Sequence, residues 1–168
     1  SEIDKVVFLD KAKILPVYYT RRIISDNSFC GVIHPKNFKI NTKFFCESLH
    51  FNCCLNQKVA IDSNGNIKNC PSFTNNYGNI KDITLKQVVQ RKDFQQSWII
   101  TKDMIDICKD CEFRYMCMDC RVYIKVPNNI YSQPAKCTYN PYIAKWKGQD
   151  GYIPVEEWRA INQNKTNL

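Results

Sequence analysis

The sequence predicts a small α+β domain: a β-hairpin, then a helix, then a cysteine-rich region of loops and short helices organised by metal. Three observations predict it. Asn64-Gly65 stands between two short alternating runs, Val59-Ala60-Ile61-Asp62 and Asn66-Ile67-Lys68-Asn69-Cys70. Asn-Gly in that setting is the strongest short-range hairpin signal, because both residues tolerate positive φ. Thr84 and Gln87 form a capping box ahead of Leu85, Val88 and Val89, which share one helical face. Ten cysteines fall in 168 residues, and across 101–137 their spacing is more regular than any hydrophobic period.

In chain order, residues 1–29 hold two apolar runs, Val6-Val7-Phe8-Leu9 and Ile14-Leu15-Pro16-Val17-Tyr18-Tyr19. Both read as strand or buried connector, and Pro16 argues against a central strand. The stretch has the look of an edge piece that packs on something larger. The segment from Cys30-Gly31 to Cys54 is polar and aromatic and yields no assignment. The hairpin follows, and its turn reverses the chain so that Cys70 comes back toward Cys54. After the capped helix, Phe94 and Trp98 continue its face or begin a second short turn, with core packing as their role. Val155 to Ile161 reads as a short helix after Pro154, and Asn162 to Leu168 as a frayed tail.

Composition bounds the class. Apolar residues make up 44% of the chain, with nine Phe, nine Tyr and three Trp, enough for one domain with a core. No apolar run is long enough to span a bilayer, and no signal-peptide pattern opens the chain. It begins on Ser1-Glu2-Ile3 without an initiator Met, as a processed or excised fragment would. The missing signal and the tight Cys-x2-Cys pairs favour metal ligation in a reducing cytoplasm over a disulfide scaffold. The formal charge of +8 comes from 24 Lys+Arg against 16 Asp+Glu. Those cations are dispersed and not set among stacking aromatics on one face, which argues against nucleic acid.

The chemistry concentrates in Cys108-Lys-Asp-Cys111-Glu-Phe-Arg-Tyr-Met-Cys117-Met-Asp-Cys120. Each Cys-x2-Cys pair suits a knuckle turn whose backbone N–H groups bond the sulfurs. Zinc ribbons place their pairs about 15 to 20 residues apart, whereas here only Glu112 to Met116 intervene. One tetrahedral zinc site remains an alternative, but it leaves the other cysteines without a role. His34 and His50 read as surface or packing residues. Asp110 and Asp119 read as solvated loop residues or as tuners of a cluster's potential. Arg114 and Arg121 are candidates to hydrogen-bond sulfur, and Tyr115, Tyr123 and Tyr139 read as shielding aromatics.

Taken together, Cys54-x10-Gly65-x4-Cys70, then Cys108-x2-Cys111-x5-Cys117-x2-Cys120, then Cys137, resembles the SPASM domain. That domain is the twin-cluster extension of radical S-adenosylmethionine enzymes that mature peptides and proteins. Gly65-Asn-Ile-Lys-Asn-Cys70-Pro71, Gly78-Asn79-Ile80 and Cys108-Lys-Asp-Cys111-Glu-Phe-Arg114 resemble the subgroup paired with an ATP-grasp ligase in grasp-with-spasm systems. The resemblance divides the chain into a connector from a missing upstream radical SAM barrel (1–29), a SPASM domain (30–146) and a C-terminal helix and tail (147–168). One departure stands out: the family often has three residues between the last pair, where this chain has only Met118 and Asp119.

The resemblance implies two [4Fe–4S] clusters with interleaved ligands. One takes Cys54, Cys70 and Cys120; the other takes Cys108, Cys111, Cys117 and Cys137. Cys30 is favoured as the first cluster's fourth ligand, with Cys46, Cys53 or an open iron site as alternatives. Cys53 reads as a buried thiol, since neighbouring side chains usually diverge. The implied partners are the barrel of the same polypeptide, a ribosomal precursor peptide and an ATP-grasp ligase. The implied function is electron transfer or substrate positioning during radical modification of that peptide. The alternative is a stand-alone zinc-binding interaction module, with zinc also able to replace the clusters in an aerobic preparation. No two cysteines stand four positions apart, so the Cys-x3-Cys-x2-Cys motif that binds the catalytic cluster and S-adenosylmethionine is missing. The chain is therefore expected to be inactive alone.

Overall fold

A computed structural model of the chain describes residues 3–8, 16–20 and 30–166. They form two units, Ser1–Cys30 and Gly31–Leu168. In the first, β1 (Ile3–Phe8) pairs antiparallel with β2 (Pro16–Thr20), with Val7 opposite Val17 and Phe8 opposite Pro16. Pro16 has no N–H to give the ladder, and it sits at the first position of its strand, where none is needed. Leu9, Ile14 and Leu15 lie outside the described residues.

The second unit begins with a 3-10 turn, Pro35–Asn37, and helix α1, Thr42–His50. This helix occupies the segment whose sequence yields no assignment. Asn41 starts it, its side chain accepting the Phe44 N–H at 2.9 Å, and Phe44 and Ser48 are its buried residues.

The hairpin is present as β3 (Ala60–Ile61) and β4 (Ile67–Lys68), in the register Ala60 to Lys68 and Ile61 to Ile67. Its turn differs in type from a two-residue Asn-Gly loop. Gly65 N–H donates to Asp62 O at 2.9 Å and Asp62 N–H to Asn66 O at 3.0 Å. Only Gly65 of the turn has positive φ, +84°. This is a three-residue loop, a turn closed by a left-handed glycine. The Asp62 carboxylate holds it from inside by accepting the N–H groups of Asn64 and Asn66, both at 3.0 Å. A third segment lies along the other side of β4, where Ile67 N–H reaches Gly78 O and Tyr77 N–H reaches Ile67 O, each at 2.8 Å.

The capping box at Thr84 and Gln87 forms, and α2 runs over Leu85–Val89. It stops after five residues, and α3, Lys92–Gln95, restarts after Arg91. Leu85 is exposed instead of sharing the buried face, whereas Val88 is fully buried. Phe94 begins the second turn and packs with Ile67 and Val88, flanked by Tyr77, Ile83, Val89 and Trp98. This small core fixes the hairpin under the two helices.

Beyond it, Ile100, Ile105 and Cys108 form a second, smaller core. Two 3-10 turns, Lys102–Met104 and Cys108–Asp110, carry the chain through the cysteine region. Between them Ile107 has φ +67° and ψ −45°, and the Cys108 N–H donates to Asp106 O at 2.7 Å. That is a γ-turn of the uncommon hand, centred on a buried β-branched residue, a conformation that costs about 1–3 kcal/mol. Strands β5 (Tyr139–Asn140) and β6 (Lys145–Trp146) then pair Tyr139 with Trp146.

Helix α4 spans Val155–Thr166, so Asn162 is helical and not the start of a frayed tail. Its side chain donates to Trp158 O at 2.8 Å. Trp158 stacks on Tyr142 at 4.2 Å, and Arg159 forms a two-pronged ion pair with Asp106, at 2.8 and 2.9 Å. Among the described residues the fold is thus mixed α+β, with short antiparallel strand pairs and four α-helices. No helix among the described residues is long and apolar enough to cross a membrane.

Candidate metal centre

Cys108, Cys111, Cys117 and Cys137 line one recess, and all four carry free thiols. Local backbone turns position Cys108, Cys111 and Cys137. The γ-turn at Ile107 aims Cys108, and the following 3-10 turn carries the chain to Cys111, whose N–H donates to Cys108 O at 3.0 Å. The Phe113 N–H bonds the Cys111 sulfur, as a metal knuckle requires. Cys137 enters from a turn in which its N–H donates to Pro134 O at 3.1 Å.

The walls are apolar. Phe38, Phe113, Tyr139 and Trp146 line the recess beside Ile33 and Ile107. Their rings touch in a chain: Phe38 to Phe113 at 5.1 Å, Phe113 to Tyr139 at 5.1 Å, and Tyr139 to Trp146 at 4.7 Å. Tyr139 is buried and donates its hydroxyl to the Glu112 carboxylate. Dry walls of this kind shield sulfur from water and lower the local dielectric. They also act on the thiols: burial pushes Cys108 and Cys111 up to about 12, and raises Cys117 as well. Any metal group entering here must displace protons, since thiolates are the ligands.

Two cations line this apolar recess, Lys102 and Arg114, and Lys102 is the buried one. Lys102 is 4% exposed, and its Nζ lies 3.9 Å from the Cys108 sulfur and 3.8 Å from that of Cys117. Burial alone would lower its pKa, but it is raised, chiefly by the Asp119 carboxylate. Asp119 pairs with Lys102 at 3.4 Å and with Arg121 at 2.6 Å. Asn52 completes the network from the other side, donating to Asp119 Oδ2 at 2.6 Å and accepting the Cys54 and Leu55 N–H groups, each at 3.0 Å. Asp119 is therefore a buried hub and not a solvated loop residue.

Arg114 and Arg121, the cations whose sequence positions suggest sulfur bonding, donate to oxygen instead, although Arg114 also lines the recess. Arg114 donates to Asp103 at 2.9 Å and to Cys111 O at 3.1 Å. Arg121 donates to Asp119 and to the Ile130 and Ser132 carbonyls, both at 2.9 Å. The cation that meets sulfur is Lys102, which the spacing argument misses. Its only signal in sequence is a lysine set between Ile100 and Ile105. Gln133 is a second omission. It is buried on the same recess with its amide oxygen unpaired.

The other sequence-predicted ligands lie as follows. Cys120 is buried, and its sulfur accepts the Tyr123 N–H at 3.5 Å. Gly31 presses against it: a Cβ there would stand 3.3 Å from the Cys120 sulfur, and φ is +72°, so a glycine is needed twice over. Cys54 and Cys70 are half-buried, the first in the turn after α1 and the second at the exit of β4. Cys30 closes the first unit and is exposed. Cys46 is exposed on α1, while burial, followed by the Glu47 carboxylate, pushes the Cys53 thiol up to about 11. His34 caps the first 3-10 turn, accepting the Lys36 N–H at 3.2 Å, and His50 lies exposed at the end of α1. Asp110 accepts the Tyr142 hydroxyl at 2.8 Å.

Among the described residues, no three His, Cys, Asp or Glu side chains are gathered closely enough to hold a single metal ion. A tetrahedral zinc with sulfur at about 2.3 Å would need sulfurs roughly 3.8 Å apart. The donor set fits an iron–sulfur cluster: four thiols on one recess, an N–H aimed at sulfur, apolar walls and one buried cation. No curated protein and no solved structure matches the chain. Residues 53–112, which carry Cys53, Cys54, Cys70, Cys108 and Cys111, match the family model of SPASM, an iron-sulfur cluster-binding domain.

Proposed function

We propose that this chain is the auxiliary-cluster part of a radical S-adenosylmethionine enzyme that modifies a ribosomally made peptide. One [4Fe–4S] cluster is held by Cys108, Cys111, Cys117 and Cys137. The other is held by Cys54, Cys70 and Cys120, with Cys30 as the preferred fourth ligand. The observation that carries the reading is the convergence of the first four cysteines on one apolar recess that also contains the Lys102 ammonium.

When bound, such clusters accept or pass one electron at a time. The chain's own residues provide the rest. Phe113 and Tyr123 N–H groups stabilise charge on sulfur, the Phe38–Phe113–Tyr139–Trp146 wall excludes water, and the β3–β4 hairpin holds Cys70 in place. The radical itself arises in the barrel proposed to precede residue 1 in the same polypeptide, where S-adenosylmethionine binds. The precursor peptide and an ATP-grasp ligase are the proposed partners, in the cytoplasm.

Anaerobic reconstitution with iron and sulfide tests the proposal. About eight irons per chain and broad visible absorption are expected. Colourless protein holding stoichiometric zinc, with no capacity for iron, would make the chain a zinc-binding interaction module instead.

A further inference from the structure

We infer that Lys102 is a positioning residue that sets the reduction potential of the group held by Cys108, Cys111, Cys117 and Cys137. The inference rests on the cluster reading of that site. The buried charges beside these cysteines do not balance. Lys102, Asp119 and Arg121 are all buried, at 4%, 2% and 6% exposure, and they sum to one net positive charge. Asp119 lies nearer to Arg121 (2.6 Å) than to Lys102 (3.4 Å), so Arg121 and Asp119 neutralise each other as a pair. Lys102 is left as the excess cation, and its Nζ touches the sulfurs of Cys108 and Cys117.

A buried excess charge is costly unless something of opposite sign faces it. Two neutral thiols do not meet that need. Four thiolates around a dicationic [4Fe–4S] core carry a net charge of about −2, and they do. One-electron reduction, by dithionite in a titration, takes that charge to about −3. A fixed cation at this distance stabilises the more negative state, so it raises the potential. The same wall residues that exclude water keep the charge from being screened.

Lys102→Met separates this role from a structural one. The variant leaves the Arg121–Asp119 pair intact and the buried network neutral. The cluster-free protein should therefore melt at the same temperature or higher. In the reconstituted protein, redox titration followed by electron paramagnetic resonance should show one of the two clusters moving to lower potential. That cluster is identified as the signal lost in Cys137→Ala. A loss of at least about tenfold in its reduction equilibrium constant is expected, which is about 59 mV for one electron. Lys102→Arg, which keeps the charge, should restore most of the shift.

An unchanged midpoint in Lys102→Met with full iron content overturns the inference while leaving the cluster reading intact. Failure of the parent protein to take up iron overturns the cluster reading itself. If Lys102→Met takes up no iron at this site, Asp119→Asn decides: removing the carboxylate should raise the same midpoint, and an unmoved midpoint overturns the inference.

Discussion

At the scale of single residues, the cysteine region works by directing sulfur and charge separately. The sulfurs are aimed by backbone: a left-handed turn before Cys108 and N–H groups bonded to Cys111 and Cys120. The charges are held by side chains from distant positions, Lys102 and Asn52 on one hand and Asp119 and Arg121 on the other. Cys117 and Cys120 flank Asp119 by two residues and one, so a short stretch of chain would serve both proposed clusters. This yields a discriminating test. Cys120→Ala should disturb the cluster shared with Cys54 and Cys70 and leave the other, halving the iron from about eight to about four. Cys137→Ala should do the reverse. Mössbauer and paramagnetic resonance spectra of the two variants should therefore be complementary; identical spectra would refute the interleaved assignment.

At the scale of elements, the hairpin depends on one carboxylate. Chiefly through the Asn66 N–H, the Asp62 carboxyl is held at about 2, below its ordinary 3.8. A depressed carboxyl contributes stability that is complete above its unfolded value and is lost as pH falls through the folded one. Asp62→Ala should therefore lower the melting temperature of cluster-free protein at pH 7, with the gap to the parent closing between about pH 4 and pH 2. A gap that persists at pH 2 would show that the side chain acts by something other than its charge. The two short helices depend on Phe94, which has no exposed surface. Phe94→Ala should cost about 3–5 kcal/mol in urea unfolding, because Ile67, Val88 and Trp98 cannot all collapse onto the space it leaves.

At the scale of the whole second unit, the apolar cores are small. One gathers three buried residues, Ile67, Val88 and Phe94, and the other gathers Ile100, Ile105 and Cys108. Cores of this size rarely suffice without a staple, and metal binding is then coupled to folding. Stripping iron with chelator and oxidant should lower the melting temperature by many degrees and open residues 112–137 to protease, beyond the turn that the Asp106–Arg159 pair holds. Equal melting of loaded and stripped protein would remove the clusters from any structural role. Much of this organisation is legible in sequence, because it is local. Gly65 and the Thr84–Gln87 box announce a turn and a helix start within a few residues. The groups that complete the recess are not legible. Lys102 meets Cys117 fifteen residues away and Asn52 meets Asp119 across sixty-seven, so only tertiary packing reveals them. The early end of α2 is illegible for a related reason: its face is buried for only one turn, and Phe94 satisfies the core from the next.

The reversed turn at Ile107 has a bearing on the timing of assembly. Its cost is incurred when the chain folds, with Ile105 buried on one side and the Arg159 clamp on Asp106 on the other. Cys108 thus has its direction before any iron arrives, and an incoming core meets a stationary sulfur where a flexible loop would offer a wandering one. The first bond to form becomes a capture step at a fixed address, and the remaining thiols close around it in whatever order their turns permit. Loading would then be quick at its first contact and slow at its last, with Cys108 as the point of entry.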